Sequence, residues 1–296
     1  MNVFITGASG YLGAHLVRKL AEEGHALTVL TRSESRAQEL AAYARVQRGA
    51  LEDVDALEGW LRGCDALIHN ALVWGEAEAG AYPELELEDT RLTIKLVDAA
   101  GKAGIGRVVM TSSVAVHRPF VRAMDEDCAL SPVDTYGAIK ASNELFLSAL
   151  ATMHGMTHHS VRVAPVLGPP AYPGAAFRCD PRFTEFVQKA ARGEDIAVKR
   201  GDARQFVGAS DVALAYAELL HTDHESGAWI CASRAMTMWA SVAESIVRRV
   251  GSTSRVVEMG DVPPHDFNTA KLERLGLRFE TQHALDAHLD FLLPTR

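Results

Sequence analysis

The sequence has few cysteines and no metal-binding or redox cysteine motif. The four cysteines among the 296 residues are Cys64, Cys128, Cys179 and Cys231. Since no two of them form a Cys-x-x-Cys pair, neither a zinc knuckle nor a dithiol centre is expected, and a reduced, cytoplasmic setting is the simplest interpretation. His154, His158 and His159 lack a carboxylate at ligand spacing, so we expect a surface loop there and no metal site.

Long apolar runs and an excess of positive charge are also absent. No stretch approaches the ~18 apolar residues of a membrane span, and the chain does not start with the basic and apolar segments of a signal peptide. The formal net charge of −8 disfavours a nucleic-acid partner held by phosphate contacts. We therefore expect neither a membrane nor a nucleic acid as partner. The sequence is that of a globular protein with one large core or two unequal lobes.

Short apolar segments alternate with longer helical patterns over the first two-thirds of the chain. The apolar segments cover residues 3–5, 27–30, 66–68, 107–110 and 161–163, and helical patterns include 34–44 and 85–104. Buried strands that alternate with amphipathic helices are typical of a parallel sheet covered on both faces. The sequence therefore predicts an α/β fold with a doubly wound parallel sheet.

A glycine-rich turn follows the first apolar segment. Gly7 permits a tight turn, Gly10 lets backbone amides approach a pyrophosphate at a helix N-terminus, and Gly13 allows the helix to pack closely on the strand. In this strand–turn–helix context the spacing indicates a dinucleotide site in a Rossmann sheet. The residues of this turn that we assign to the cofactor are Gly7, Ser9, Gly10, Tyr11, Leu12 and Gly13.

The pattern changes after Gly168, where residues 168–174 are rich in glycine and proline. We expect 1–168 to be the dinucleotide-binding Rossmann domain and 169–296 to be mainly a smaller C-terminal substrate-binding lobe. Residues 205–225 are expected to return to the first domain, because 211–220 has a helical pattern.

The end of the second strand bears on the choice of cofactor. A site for NAD places a carboxylate about 20 residues beyond the glycines, where it binds the ribose 2′-OH. This chain instead has Arg32 and Ser33, with Arg36 nearby. A guanidinium suits the 2′-phosphate of NADP, so NADP(H) is favoured over NAD(H); a solvated arginine after a strand is the alternative.

Tyr136 and Lys140 are four residues apart, so on a helix they lie on one face, one turn from each other. A cation beside a phenol favours the phenolate, which suits a group that exchanges a proton during carbonyl–alcohol interconversion. Ser113 ends the preceding strand, where ligands of open α/β sheets bind. We predict Ser113, Tyr136 and Lys140 as the catalytic residues, whereas Ser112 is expected to cap or pack at the strand end.

These motifs together resemble the extended short-chain dehydrogenase/reductases, that is, the NAD-dependent epimerase/dehydratase family. The residues that carry the resemblance are 6–13, Asp65-Ala66-Leu67-Ile68-His69-Asn70-Ala71, Thr111-Ser112-Ser113, 136–140 and 162–169. The resemblance implies that Ser113 orients the substrate oxygen, that Tyr136 is the general acid/base, and that Lys140 holds the nicotinamide ribose. It also implies that Ala71 lines the cofactor cleft and Pro165 borders the nicotinamide. Leu51 lies where the family often has an aspartate near the adenine.

The function expected from the resemblance is an NADP(H)-dependent oxidoreductase that interconverts a carbonyl and a secondary alcohol on a small molecule. Val114 and Ala115 stand where nucleotide-sugar dehydratases have an Asp-Glu pair, so elimination is not expected. An NAD-dependent nucleotide-sugar epimerase is the alternative, and a non-catalytic dinucleotide-sensing protein ranks lower.

Candidate substrate residues lie in segments expected at strand ends or loops near the cleft. They are Trp74, His117, Phe177, Arg178 and Arg204. Arg204 resembles the arginine with which nucleotide-sugar members grip a diphosphate, although a surface or domain-bridging arginine is the alternative. The family often forms homodimers through the helix 85–104 and the Tyr136 helix, so a homodimer is expected; the apolar faces of these helices could equally be buried within one subunit.

Overall fold

The computed structural model describes residues 1–72, 83–221 and 224–293, without the side chains of 83–86. The strands of these residues are β1 Asn2–Thr6, β2 Ala26–Thr31, β3 Arg45–Arg48, β4 Ala66–His69, β5 Arg107–Ser113, β6 Thr157–Val163, β7 Val166–Leu167, β8 Ile196–Arg200, β9 Ala203–Arg204, β10 Val207–Gly208, β11 Gly227–Cys231, β12 Thr237–Met238 and β13 Val256–Asp261. The helices are α1 Tyr11–Glu22, α2 Glu34–Leu40, α3 Val54–Leu61, α4 Pro83–Lys102, α5 Thr135–His154, α6 Pro181–Arg192, α7 Ala209–His221, α8 Trp239–Val250, α9 Ala270–Glu273 and α10 Thr281–Leu292.

Seven parallel strands form the central sheet in the order β11-β6-β5-β4-β1-β2-β3. The strand order reverses between β1 and β4, which opens a crevice at the carboxyl ends of these strands. The predicted doubly wound Rossmann sheet is confirmed.

The two faces of the sheet are buried in separate apolar layers. Val3 and Ile5 of β1 pack into one layer, whereas Phe4 between them packs into the other, and all three are fully buried. Successive side chains of a strand point to opposite faces, so an uninterrupted apolar segment is what a sheet covered on both sides requires.

Some elements of the sheet have no clear sequence signal. The strand β3 and the helix α3 were not among the predicted elements. The sequence of β3 is Arg-Val-Gln-Arg, which has no apolar pattern because β3 is a half-exposed edge strand. The predicted helix 211–220 is α7, which packs against α1. The next strand, β11, pairs with β6, so the chain remains in the main sheet as far as Cys231.

Much of the chain after Gly168 packs around a third apolar cluster. Phe183, Phe206 and Trp239 are its largest buried side chains, and their rings meet edge to face or tilted at centroid distances of 5.1 to 6.0 Å. Leu167 of β7, just beyond the end of β6, belongs to this cluster, so the cluster lies next to the carboxyl edge of the sheet. The division of the chain at residue 168 stays a prediction.

Within the described residues, no helix has both the length and the apolar character that crossing a bilayer requires.

Candidate active site

A cleft of about 1160 Å³ runs along the carboxyl edge of the sheet. Its walls come from the loops after each of the strands β1 to β6 and from the third apolar cluster. Parallel strands end at the same edge of a sheet, so residues distant in sequence meet there. The predicted residues that line this cleft are Gly7, Ser9, Gly10, Tyr11, Leu12, Arg32, Ser33, Leu51, Ala71, Ser113, Tyr136, Lys140, Pro165, Arg178 and Arg204.

The glycine-rich turn approaches the β4 loop too closely for a side chain. Gly7 has a φ of 71°, and a Cβ there would lie 2.6 Å from the backbone of Asn70 and Ala71. Gly13 does not line the cleft, but a Cβ on it would lie 2.0 Å from the Gly7 carbonyl oxygen. Because neither glycine has a side chain, β1, α1 and the β4 loop can pack with their backbones in direct contact.

The amino end of α1 is open toward the cleft. Gly10 precedes the helix and offers no side-chain cap, and the first turn holds no acidic residue. The first-turn amides of a helix have no intrahelical acceptor, and they attract anions through the helix dipole. This end of α1 thus suits a pyrophosphate.

The predicted catalytic residues come from β5 and α5. Asp134 caps α5 by accepting a hydrogen bond from the Gly137 amide at 2.7 Å, which fixes Tyr136 in the first turn. Lys140 follows one turn later; it is 4% exposed, and its Nζ donates to the Thr111 carbonyl at 3.1 Å. Ser113, Tyr136 and Lys140 all line the same cleft.

Thr111 connects this group to the glycine turn. The side-chain amide of Asn70 donates from Nδ2 to the Gly7 carbonyl at 3.3 Å. This hydrogen bond turns the Asn70 Oδ1 toward Thr111. The Thr111 hydroxyl donates to that Oδ1 at 2.8 Å and lies 2.5 Å from the Tyr216 hydroxyl. Since the single proton of Thr111 is used, Tyr216 must donate to Thr111. Burial raises the pKa of Tyr216, so its phenol keeps the proton it donates.

Asn70 and Thr111 had no predicted role, although both lie in the motifs that carry the family resemblance, and Tyr216 was not among the predicted residues. Tyr216 lies on α7 and is fully buried. No local pattern could have found it, because it reaches the site only through the packing of α7 on the sheet.

A buried ion pair supports α5 from behind. Glu144 lies one turn beyond Lys140, and its carboxylate accepts from Arg162 of β6 at 2.8 to 3.1 Å. Ser112 also donates to Glu144, which agrees with the structural role expected for this serine. The pair therefore ties α5 to the ends of β5 and β6.

His117 belongs to this support and does not line the cleft. Arg162 donates from Nη1 to His117 Nε2 at 2.9 Å, so the other ring nitrogen carries the proton and faces the Ala129 carbonyl at 3.4 Å. Burial, with a smaller contribution from Arg162, lowers the pKa of His117. We therefore leave His117 out of the substrate residues.

Arg32 lies at the far end of the cleft, with its side chain 67% exposed and Nη1 3.7 Å from Glu52 Oε1. Glu52 lines the cleft as well and was not predicted. Ser33 caps α2 by accepting from the Arg36 amide at 3.3 Å. The Arg36 guanidinium turns away from the cleft, because it donates to Glu39 at 2.7 Å and to the Gly174 carbonyl at 2.9 Å.

Another substrate candidate also lies away from the cleft. Phe177 does not line the cleft but packs between Tyr11 and Phe291, with centroid distances of 5.7 and 4.8 Å. Trp74 lies outside the described residues.

The end of the cleft around Phe120 combines arginines with an aromatic wall. Arg204 donates to Asp202 at 2.7 Å, and Asp202 also accepts from Arg182. Within the described residues, no ion pair of Arg178 is found. Cleft residues at this end that the prediction did not include are Pro119, Phe120, Val133, Phe206, His265 and Phe267.

The predicted surface loop around His158 and His159 is wrong. His154 ends α5, whereas His158 and His159 lie in β6. His159 is fully buried and accepts from Trp229 Nε1 at 3.1 Å. Its neighbour strand β11, missing from the predicted elements, explains the burial.

The seven-stranded parallel sheet and the cleft at its carboxyl edge define an extended short-chain dehydrogenase/reductase. The chain belongs to the NAD dependent epimerase/dehydratase family, whose model matches residues 3–230.

Curated relatives of different activity share part of the chain. This chain is 35% identical over 150 residues to a 4-hydroxy-2-methyl-3-oxo-4-farnesyl-3,4-dihydroquinoline-1-oxide ketoreductase of Stigmatella aurantiaca. The match covers 49% of this chain and 44% of that protein. The chain is 28% identical over 171 residues to a UDP-glucose 4-epimerase of Corynebacterium glutamicum, which covers 57% of this chain and 52% of that protein. The chain thus spans about half the length of these relatives.

The whole fold is matched by a solved structure, a UDP-N-acetylglucosamine 4-epimerase from Methanobrevibacter ruminantium M1 in complex with UDP-N-acetylmuramic acid. The TM-score is 0.80 at 22% identity, over 98% of this chain and 97% of that chain. At this identity the likeness shows the fold alone.

A buried histidine behind the glycine turn leads to a prediction about pH. His69 contacts the hydroxyls of Thr6 at 2.8 Å and Thr93 at 3.0 Å. Burial lowers the pKa of His69; Asp89 opposes this and Lys140 adds to it. The unfolded chain takes up a proton near the ordinary pKa of about 6.5, but the folded protein does so only at lower pH. Stability is therefore lost as pH falls below about 6.5.

Between pH 7 and pH 5 we expect this one group to lower the free energy of unfolding by about 2 kcal/mol. In His69→Gln the fall should be smaller by about that amount, measured by urea denaturation at both pH values. His283→Ala, at an exposed histidine, should fall as the wild type does. An equal fall in His69→Gln and wild type would refute this account.

Proposed function

We propose that this protein is an NADP(H)-dependent oxidoreductase that interconverts a carbonyl and a secondary alcohol. The observation that carries the proposal is that Ser113, Tyr136 and Lys140 line one cleft together with the glycine-rich turn. Membership of the family supports it, and the similarity to a ketoreductase is consistent with it.

The residues around the cleft fit a nicotinamide dinucleotide. The uncapped amino end of α1 would hold the pyrophosphate, Arg32 the 2′-phosphate, and Pro165 would border the nicotinamide. When bound, the nicotinamide supplies the hydride. The rest of the chemistry is positioning and proton transfer by the protein.

In the direction of reduction, Ser113 donates a hydrogen bond to the substrate oxygen and Tyr136 donates a proton to it. Lys140 keeps its ammonium at the cleft, because one of its hydrogens is directed to the Thr111 carbonyl. The other two remain for the ribose and for the charge that develops on Tyr136.

The end of the cleft around Phe120, where we place the substrate, favours an apolar or aromatic carbonyl compound. Phe120 packs edge to face on Phe267 with centroids 5.2 Å apart, and His265 stacks obliquely on Phe120. The Arg204 guanidinium is held by Asp202, a carboxylate that it shares with Arg182. A flat apolar substrate would cover these rings with little loss of hydration.

A nucleotide-sugar epimerase is the second candidate. It is favoured by Arg178, which lines the cleft and for which the described residues offer no ion pair, and by the similarity to a UDP-glucose 4-epimerase. An epimerase regenerates its cofactor within each turnover, so it would keep the cofactor bound through purification and act on a UDP-sugar without net oxidation.

Replacing Tyr136 tests the proposed acid. Tyr136→Phe should lower kcat for ketone reduction by about 100- to 10,000-fold, the usual contribution of a positioned proton donor. The Kd for NADPH should stay within about twofold, because no cofactor contact is removed. The measurement is NADPH oxidation with a panel of aromatic and aliphatic ketones, together with NADPH fluorescence titration.

Tyr172→Phe is the matched control, since Tyr172 stacks on Tyr43 outside the cleft, and it should keep wild-type turnover. Turnover by Tyr136→Phe above a tenth of the wild-type rate would sink the assignment. Turnover of a UDP-sugar without consumption of NADPH would favour the epimerase.

Cofactor choice can be tested at Arg32. A hydrogen bond to a charged group contributes about 1.5–3 kcal/mol, so Arg32→Ala should weaken NADPH about 10- to 100-fold and leave NADH nearly unchanged. Arg36→Ala is the control, because its guanidinium is held by Glu39 and Gly174. Equal losses for NADPH and NADH, or the same loss in Arg36→Ala, would contradict the NADP assignment.

The proposal includes a homodimer formed by α4 and α5. These helices lie side by side, joined by hydrogen bonds from Asn143 to Asp89 at 3.0 Å and between His154 and Asp98 at 3.0 Å. The outer side of α5 presents Leu145 and Met153, which are 65% and 64% exposed. A second copy would bury this apolar surface.

Phe146, also on the outer side of α5, gives a direct test of the dimer. Phe146→Glu would bring like charges together near a two-fold axis, so light scattering should show a dimer for the wild type and a monomer for the variant. Met259→Glu, at an exposed apolar residue of β13, should stay dimeric. A monomeric wild type would refute the interface.

A further inference from the structure

Three side chains meet at the edge of the sheet opposite the cleft. Glu23 follows α1, His25 precedes β2, and His221 is the last residue of α7. The two Nε2 atoms lie 3.2 Å apart, and Glu23 Oε2 lies 3.8 Å from His25 Nε2 and 3.9 Å from His221 Nε2. The two histidines are 196 residues apart, so no sequence spacing brings them together.

The geometry points to a metal site: we propose that Glu23, His25 and His221 bind Zn²⁺ or a similar divalent transition-metal ion. Tetrahedral zinc with Zn–N bonds of 2.0–2.1 Å separates its ligand atoms by about 3.3 Å. The distance between the two Nε2 atoms is close to this ligand–ligand separation. A small rotation of the Glu23 side chain, which is 30% exposed, would bring Oε2 to the same separation, and water would complete the site.

The surroundings direct the right atoms at the ion. Lys19 binds Glu23 Oε1 at 2.9 Å, which leaves Oε2 to face the imidazoles. The His25 side chain is only 3% exposed and aims Nε2 at the cluster. Within the described residues, His25 Nδ1 has no hydrogen-bond partner. A hydrogen bond between the two Nε2 atoms therefore satisfies only one of the two nitrogens of this buried ring.

The same unpartnered Nδ1 limits the expected affinity. Histidine ligands usually donate their second N–H to a partner, and losing that partner weakens binding about 10- to 100-fold. We therefore expect a modest site. By joining the end of α1 to the end of α7, a bound ion would stabilise the folded state, which alone assembles the three ligands.

The test measures zinc binding by the untagged, metal-stripped full chain. Binding is measured by competition with a chromophoric chelator, and the Tm is measured by thermal unfolding with and without ZnCl₂. The wild type should bind one equivalent and gain in Tm. His221→Ala should bind at least about tenfold more weakly and lose the gain in Tm. His221 has a side chain 52% exposed, so this variant should keep the fold, and Glu23→Gln provides a second surface variant.

The matched control is His283→Ala, at an exposed histidine outside the cluster, which should bind zinc as the wild type does. Co²⁺ in place of Zn²⁺ should give visible absorption typical of tetrahedral nitrogen and oxygen ligands in the wild type and not in His221→Ala. The site would be overturned if the wild type bound no zinc. It would also be overturned if wild type and His221→Ala bound zinc equally, as they would if the cysteines held the zinc.

Discussion

Thr111 is the residue on which the geometry of the cleft depends. Its carbonyl holds the Lys140 ammonium at 3.1 Å, and its hydroxyl accepts from Tyr216 and donates to Asn70. Asn70 in turn donates to the Gly7 carbonyl. One residue at the end of β5 thus fixes the helix that carries Tyr136 relative to the turn proposed to hold the cofactor. A hydrogen-bond chain in a buried setting is directional, so this relation is set by geometry and not only by packing.

The buried Glu144–Arg162 pair performs a related task behind α5. Its side chains are 7% and 6% exposed, so the cost of removing both charges from water offsets much of their attraction. We infer that the pair fixes the orientation of α5, because the carboxylate also accepts from Ser112 and the guanidinium also binds His117. Breaking one partner would leave a buried charge, at a cost of about 3–5 kcal/mol.

The sequence was most informative where a motif is local. Tyr136 and Lys140 share a helix face by spacing alone, and the carboxyl end of β5 placed Ser113 beside them by the rule for parallel sheets. Arg36 and Phe177 could not be placed this way, because the direction of a side chain depends on the partners it meets. The strands β3 and β11 were missed for another reason: an exposed edge strand has no apolar pattern, and β11 returns to the sheet after a change of pattern.

A crystal structure with NADPH and a carbonyl substrate analogue tests the central claim most directly. We expect the pyrophosphate at the amino end of α1. The carbonyl oxygen should lie within hydrogen-bond distance of both Ser113 Oγ and the Tyr136 hydroxyl, with the carbonyl carbon facing the nicotinamide. A nicotinamide bound away from Tyr136, or a carbonyl oxygen that contacts neither hydroxyl, would contradict it.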